Sequence, residues 1–412
     1  MATAVDRPID QIDLGEMSLW ANGPPHALFD RLRAEAPIHW SPMADWDGEP
    51  GFWSITRADD VHTVSRDWEA FSSEKGGVLI TDLATPVEVQ NATFIGMDPP
   101  RHDRIKALFQ RAFTPNRIAE HEQTIRQITV EGLDRLEGRD ELDLATELAQ
   151  PVVGRVIGTL FGLPAEDDAA WAELATRGFA IGDEELQPGG NESAQEIIGE
   201  VFTRASAVVA ERRANPTDDL TSLLVHGEID GDSLTDDEIV FGFGLLVAAG
   251  NDSTKSTFTN GMLALLNEPE QRQKLLDDPS LIPAAVEEFL RMYPAFAHFR
   301  RTATRDYQLR GTTIRKGDKV VMWYTASNRD PEAFECPHML DVERNAEHQA
   351  FGGGGRHFCL GTALARLELK LLFEETLARF PQMELVEQPE SVRSLFINQP
   401  RAVPVKLGPS AG

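Results

Sequence analysis

The sequence predicts a mainly α chain of the α+β type, a large helical region with small β-sheets, folded as a single domain over residues 1–412. Three observations predict this. Residues 115–215 read as successive helices joined by acidic or Pro/Gly-rich turns. Thr235-Asp236-Asp237-Glu238 has the form of a capping box and opens a long helical run to Leu266. After Pro294, the stretch AFAHFRRTATRDYQLRGTTIRKGDKVVMWYTASNRD alternates like strands, with turns at Arg310-Gly311 and Lys316-Gly317-Asp318. No internal repeat is present.

Composition sets the outer limits. The 412 residues are enough to bury a large core, and 41% hydrophobic with 26% charged residues is ordinary for a globular protein. The 39 basic and 67 acidic residues leave a net charge of −28, which repels nucleic acid and anionic lipid over most of the surface. The only cysteines are Cys336 and Cys359, so no disulfide scaffold is expected and a reducing cytosol is the natural setting. Residues 1–20 contain acids and no apolar core of a signal peptide. No run reaches the ~18 apolar residues of a membrane span. The expectation is a soluble cytoplasmic protein whose residues 1–15 are flexible.

The elements follow in order. HALFDRLRAEA (26–36) is a short amphipathic helix stopped by Pro37; GFWSITR (51–57) is a strand; residues 58–71 form a helix. Residues 72–97 have little periodicity and read as a long loop, a length that is usually functional or disordered. Asp98 and the two prolines after it open another helix. Between 101 and 111, Arg101, Arg104, Lys106 and Arg111 face one acid, Asp103, a local charge of +4 − 1 = +3 in an acidic chain. This is either ordinary charge scatter on a solvated face or a basic patch for an acidic partner. AIGDEELQPGGNESA (180–194) reads as a mobile connector that could cover a buried site.

The long helix from 236 is apolar all round in its first half, hence buried. It turns polar at Asn251, Asp252, Ser253 and Thr254, where Gly250 weakens the ladder and could permit a bulge. Burying these groups is costly unless they are paired or used; the other reading is a simple helix break, with a new cap at Asp252 or Ser253. In IPAAVEEFLR, Glu288 and Arg291 stand at i, i+3 and can touch, which on a surface is worth little.

The stretch the chain is organised around is AFGGGGRHFCLGTALARLELKLLF (350–373). Four glycines lead to Cys359, and Leu360, Leu364, Leu367 and Leu371 then mark one helix face. A helix N-terminus lowers a thiol pKa and favours thiolate, which can act as nucleophile, redox group or metal ligand. The glycines let backbone approach something flat and bulky. Arg356 and His357 can meet an acidic group, and Leu364, Leu367 and Phe373 supply an apolar wall. A phosphate loop is the competing use of such glycines, but GK[ST] is missing; a buried structural cysteine is the other.

At these residues the sequence resembles the cytochrome P-450 family, soluble bacterial type, whose signature runs Phe-x-x-Gly-x-His/Arg-x-Cys-x-Gly. Gly355, His357, Cys359 and Gly361 match; Gly352 stands at the aromatic position, with Phe351 one residue earlier. Further resemblances follow the family's order. Asp98-Pro99-Pro100-Arg101-His102 is similar to Asp-Pro-Pro-x-His, with Lys106 where arginine is usual. Ala249, Gly250 and Asp252 match the oxygen-face element, with Ser253 at the usual threonine and Thr254 next. Glu288 and Arg291 match Glu-x-x-Arg, and Arg301 matches Arg-x-Ala.

The resemblance implies a haem b monooxygenase using O2. It implies Cys359 as the thiolate metal ligand, donating electron density to iron. His102, Arg301 and His357 would hold propionates, Lys106 would keep a charge there without arginine's fork, and Phe351 and Gly361 would lie beside the cofactor. Asp252, Ser253 and Thr254 would relay protons. Glu288, Arg291 and Arg344 would form a structural trio beneath the haem. Ala295, Phe296 and Ala297 match substrate-lining positions. An apolar pocket of Val247, Ala248, Phe296 and Phe299, with Leu395 and Phe396 reaching in from a closing hairpin over 393–408, suggests a hydrophobic substrate, and the glycine-bulged loop and the Ala249-Gly250-Asn251-Asp252 element resemble those of relatives that act on terpenoids, steroids or long alkyl chains. No flavin or iron–sulfur motif follows Cys359, so two electrons are expected from a ferredoxin with an NAD(P)H-dependent reductase, docking at Arg104, Lys106 and Arg111. The chain is expected to be a monomer without nucleic-acid or membrane partners. Peroxide-driven oxidation and a non-enzymatic haem-binding sensor are the alternatives. Cys336 matches no ligand position and reads as an ordinary thiol.

Overall fold

The computed structural model describes residues 4–82, 85–228 and 231–409. Helices dominate, and the sheets are small. The helices that build the site are α1 (His26–Glu35), α2 (Ala58–Arg66), α3 (Arg101–Gln110), α4 (Glu122–Asp134), α5 (Gln150–Phe161), α6 (Asp168–Phe179), α7 (Asn191–Ala214), α8 (Asp236–Asn267), α9 (Ile282–Met292) and α10 (Thr362–Arg379).

The main sheet has the order β1-β2-β8-β5-β3, made of β1 (Ile38–Ser41), β2 (Phe52–Ile55), β3 (Phe71–Ser72), β5 (His298–Ala303) and β8 (Lys319–Trp323). β2 runs parallel to β8 and the other pairs are antiparallel. β8 is buried along its whole length, as its VVMW run requires. The register sets Arg301 opposite Val320. The hairpin β6 (Tyr307–Leu309) and β7 (Thr312–Ile314) turns at Arg310-Gly311, as expected.

The expected closing hairpin is replaced by a different pairing. β10 (Pro404–Lys406) lies between β4 (Glu141–Asp143) and β9 (Glu384–Leu385), so the tail is fastened to the middle of the chain. Within 391–400 the pairings described are two isolated antiparallel bridges, Ser391 with Pro400 and Ile397 with Phe296. Helix α2 is shorter than expected because the chain enters β3 at Phe71.

Segments expected to be loose are anchored. Ile12 and Leu14 are buried against Trp20 and Phe29, so the part of 1–15 beyond the first turns is packed; Met1 to Thr3 lie outside the described residues. In the connector after α6, Asp183 accepts from the N–H of Glu185 and Arg393 (both 3.1 Å) and pairs with Arg401 at 2.5 Å. The loop after β3 holds a short helix, Val87–Gln90. There the Gln90 side chain accepts from Val78 N–H at 2.8 Å and donates to Thr85 carbonyl at 2.8 Å.

Helix α8 begins with the capping box, Thr235 and Glu238 satisfying each other's backbone, and continues unbroken for 32 residues, about 48 Å at 1.5 Å per residue. Neither a bulge nor a break occurs at Gly250. The polar side chains explain why. Asn251 donates to Val247 carbonyl at 2.9 Å, Ser253 to Ala249 carbonyl at 2.7 Å, and Thr257 to Ser253 carbonyl at 3.1 Å. They bond back along their own helix instead of ending it. This helix crosses the largest apolar cluster and packs on α5, α6, α7, α9 and α10. Among the described residues no helix is long and apolar enough to cross a membrane.

Candidate active site

A cavity of about 400 Å³, walled mostly by carbon, lies between α8, the segment 350–361, the start of α10, β5 and the loop around Val78 to Thr93. Cys359 lies on its wall. Its N–H donates to Phe351 carbonyl at 3.0 Å, closing the loop on itself. Gly352 has φ +100°, a conformation that only glycine takes without strain. The glycines do less toward the cavity than expected. A Cβ on Gly353 would stand 2.9 Å from Ser65 and from Val61 carbonyl, so that residue seats the loop on α2. His62 and Ser65 of α2 bond the Gly353 and Gly354 carbonyls at 2.7 and 2.8 Å. Of the four glycines, only Gly352 lies on the cavity wall, joined by Gly361.

The thiol expectation is corrected. Cys359 is open to the cavity, yet protein encloses the sulfur, and that enclosure governs its acidity. Burial pushes the thiol up; Gly361 N–H, Lys106 and Arg366 oppose it without prevailing. The first residue of α10 is Thr362, three positions on, so the helix terminus acts on the sulfur only through that one N–H.

At one end of the cavity stand the groups expected to face carboxylates. The His102 and His357 rings are 4.2 Å apart. His102 is 1% exposed, its Nδ1 is 2.9 Å from Asp103, and its Nε2 has no partner. Burial lowers the pKa of both imidazoles. Arg301 is buried in the same wall, where its guanidinium has one side-chain hydrogen bond among the described residues, to Arg300 carbonyl at 2.7 Å. Tyr324 is beside it, its hydroxyl pushed by burial up to about 12. Lys106 is also on the wall, but its ammonium binds the carbonyls of Arg356 and Phe358, at 2.7 Å for the latter. An orphaned imidazole nitrogen and a buried guanidinium beside an apolar slot that ends in a thiol fit a flat apolar group carrying carboxylates and a metal. Haem is such a group.

On α8, Ala248, Ala249, Gly250, Ser253, Thr254 and Thr257 line the cavity. Asp252 does not. The 3.6-residue period turns it to the opposite side, where it is 1% exposed, accepts from Thr176 of α6 at 2.8 Å and pairs with Lys255 at 2.5 Å. The same period buries Val247 in the core, away from the cavity. Ala295, Phe296, Phe299 and Phe396 are on the wall, with Phe296 stacked on Phe396 at 4.8 Å. Ala297 and Leu395 point the other way and pack in the cluster around Trp323. Phe351 is on the wall under the Arg366 guanidinium, 4.8 Å from its ring centre.

The wall of α10 is also corrected: Leu360, Gly361, Leu364, Ala365, Glu368 and Leu369 line the cavity, whereas Leu367 and Phe373 pack in the core. Glu368 was invisible in the sequence, where a glutamate in LARLELK reads as the polar face of an amphipathic helix. Its spacing of i, i+3, i+4, i+7 from Gly361 through Leu364 and Ala365 is the signal that locates it. Glu368 is 2% exposed, and Thr254 donates to its Oε2 at 3.4 Å.

Behind the loop, Glu288 and Arg291 are fully buried, and Arg344 reaches Glu288 at 3.2 Å, so the trio is assembled and the exposed-pair reading of Glu-x-x-Arg is set aside. The basic patch is not free. Arg104 is held by Asp232 at 2.6 Å and Glu238 at 2.8 Å, Arg111 donates to Glu228 carbonyl at 2.8 Å, and Lys106 faces inward.

Comparison with known proteins agrees with this geometry. The cytochrome P450 family model matches residues 191–406. The methyl-branched lipid omega-hydroxylase of Mycobacterium tuberculosis is 36% identical over 408 residues, 97% of this chain and 95% of that one. The steroid C26-monooxygenase of the same organism is 32% identical over 402 residues, 94% and 90% of the two chains. A Mycobacterium marinum cytochrome P450 solved in complex with pseudoionone is 37% identical, with a TM-score of 0.90 over 97% of this chain and 99% of that one. A thiol at the head of α10, an apolar slot over it and likeness along nearly the whole length have one explanation: this chain belongs to the cytochrome P450 family and is one of its monooxygenases.

Proposed function

We propose that this single-domain chain, residues 1–412, hydroxylates a hydrophobic small molecule of terpenoid, steroid or alkyl-chain type, as a cytoplasmic monomer. The oxidant is O2, and two electrons come from a separate ferredoxin and its NAD(P)H-dependent reductase. The observation that carries the reading is the one cavity that brings Cys359, the His102, His357 and Arg301 group and the α8 hydroxyls onto a common, mostly apolar wall. Relatives named for a lipid and a steroid support the substrate class.

The group these residues would hold is haem b, Cys359 at its metal and His102, Arg301 and His357 at its carboxylates; it would supply an iron able to activate O2. Every other task falls to side chains. With the haem carboxylates in place, His102 Nε2 would gain the acceptor it lacks and Arg301 a charged partner in a desolvated site. Phe296, Phe299 and Phe396 orient the apolar substrate and exclude water. Ser253 and Thr254 hold protons on the cavity side of α8. Lys106 fixes the cysteine loop through two carbonyls, and the Glu288, Arg291 and Arg344 trio clamps the chain behind it.

The test is Cys359→Ser, read by the absorbance of the carbon monoxide adduct of the reduced protein. Loss of the thiolate band with the fold retained is expected; an unchanged band sinks the assignment. Turnover of candidate terpenoids, steroids and fatty acids, with reductase and ferredoxin or with peroxide alone, separates the O2-dependent reading from peroxide-driven chemistry. A protein that binds carbon monoxide and consumes no electrons with any substrate would be a sensor.

A further inference from the structure

We propose that the cavity selects a lipid whose polar end is uncharged, an ester, ketone or alcohol, over one that ends in a free carboxylate. This deepens the reading of the site as a haem pocket for a hydrophobic substrate, and it rests on that reading. Among the described residues the cations on the cavity wall are Lys106, His102, His357 and Arg301. The two histidines and Arg301 stand at the end that suits the carboxylates of haem. Lys106 spends its ammonium on the Arg356 and Phe358 carbonyls. With haem in place, no cation is left over for a second carboxylate.

The rest of the wall comes mainly from the loop 78–95, α6, α7 and α8, and among the described residues these segments bring no cation to the cavity. Their lining is mostly valine, leucine, isoleucine and phenylalanine, with Phe179 of α6 set edge-on to Phe296 at 5.2 Å. The polar side chains of the loop are largely committed. Thr93 donates to Gln90 carbonyl at 2.7 Å, and Gln90 holds Val78 N–H and Thr85 carbonyl, both at 2.8 Å. On α8, the hydroxyls of Ser253 and Thr257 bond back along the helix, and that of Thr254 turns to Glu368. The exception is Thr85, half-buried on the wall, whose hydroxyl has no hydrogen-bond partner among the described residues. One hydroxyl can donate one hydrogen bond to an ester, ketone or alcohol oxygen. A carboxylate brought to the same wall would lose water and meet no opposite charge, which disfavours its ionised form.

The segments that carry this wall to the surface add repulsion. Ile181, Ile197 and Ile198 line the cavity. The stretch 180–198 that contains them holds Asp183, Glu184, Glu185, Glu192 and Glu196 and no lysine, arginine or histidine. Arg401 reaches in from the tail to Asp183 and Glu185. Glu184, Glu192 and Glu196 are exposed, with no ionic partner among the described residues. Glu88 is exposed between the lining residues Thr85 and Val89. Such a rim opposes the approach of an anion and leaves a neutral lipid unaffected.

The test is equilibrium dialysis of the haem-loaded protein at neutral pH against radiolabelled dodecanoic acid and its methyl ester, each below the concentration at which it aggregates. The ester is expected to bind at least about tenfold more tightly, the ratio set when the site disfavours the ionised acid by one pKa unit. Val89→Arg places a cation on the wall and should move the ratio toward the acid by about tenfold. Glu184→Lys, on the exposed connector, should move it the same way several-fold at low salt, the effect fading as salt is added; this variant decides the matter if Val89→Arg does not fold. An acid that binds as tightly as the ester overturns the proposal, and so does a protein that binds neither. A ratio indifferent to both substitutions also overturns it, because charge would then not be its cause. Binding is read without turnover, so a chain that prefers the ester and oxidises nothing would fail the monooxygenase reading while leaving this preference in place.

Discussion

Glu288 and Arg291 meet through two parallel hydrogen bonds of 2.7 Å each, and neither side chain has any exposure. The guanidinium also donates to the carbonyls of Asn328 and Pro337, both at 2.8 Å, so one side chain pins α9 to the segment that leads into the cysteine loop. Removing one partner of such a pair leaves the other charged and dry. Arg291→Ala is expected to cost about 3–5 kcal/mol in urea unfolding. Arg291→Lys should also lose stability, because an ammonium cannot reproduce the fork while reaching both carbonyls. An Arg291→Lys protein with wild-type stability would refute this account.

Arg104 behaves as a structural residue. It joins α3 to Asp232 and Glu238 at the start of α8, with about a third of its side chain exposed. Pairs of that exposure are worth roughly 0.2–1 kcal/mol each, so Arg104→Ala should cost about 1 kcal/mol in thermal or urea unfolding. It should leave the apparent Michaelis constant for ferredoxin within about twofold. Arg66, exposed beside Gly354 and without an ionic partner among the described residues, is the better docking cation. Arg66→Glu should raise that constant several-fold at low salt, with the effect fading as salt is added. Equal behaviour of the two variants would return the docking role to Arg104.

These two arginines mark what could be read from the sequence. Glu288, Arg291 and Arg344 were legible because the pattern is short and its use is shared across a family. Cys359, His357, His102 and Arg301 were legible for the same reason, and the cavity brings them together. The ion pairs of Arg104 were not legible because its partners lie 128 and 134 residues away, beyond any local count of charge. The placement of Asp252 was hidden by helix phase: it neighbours Ser253 in sequence, yet one residue is about 100° of rotation, enough to turn a side chain from the cavity toward α6. Ala297 failed through the equivalent two-residue period of an extended strand. Glu368 was hidden because a glutamate in LARLELK reads as the solvated side of a helix; its only local trace is that it shares a helix face with Gly361, Leu364 and Ala365.

Helix α8 approaches α3 closely at Gly242. A Cβ there would lie 2.1 Å from Cζ of Phe109, whose side chain is fully buried. The ring cannot retreat without displacing Phe94, 5.3 Å away between centres. Gly242→Ala is therefore expected to destabilise the fold by about 1–3 kcal/mol, although alanine favours a helix. Phe109→Leu in the same chain should return part of that loss by making room. Stabilisation by Gly242→Ala alone would mean that helix propensity outweighs the clash.

The pH dependence of stability isolates Glu368. Its carboxyl ionises near the ordinary 4.5 when unfolded and at about 8 when folded, so between those values the folded chain holds a proton that the unfolded chain has lost. Stability contributed by this group is complete below about pH 4.5 and falls as pH rises through 8, by up to about 5 kcal/mol for the full shift. Buried histidines work in the opposite sense: the pKa values of His26 and His298 are lowered by burial, so their contribution improves as pH rises toward 6.5. The total curve mixes both slopes, whereas the difference between wild type and Glu368→Gln cancels the histidines. Unfolding free energies measured in urea at pH 6, 7, 8 and 9 should show the glutamine variant gaining on the wild type at each step up to pH 8, then levelling off. A difference that stays constant across this range would mean that Glu368 has the same proton affinity folded and unfolded, and that its burial beside Thr254 is compensated by a partner.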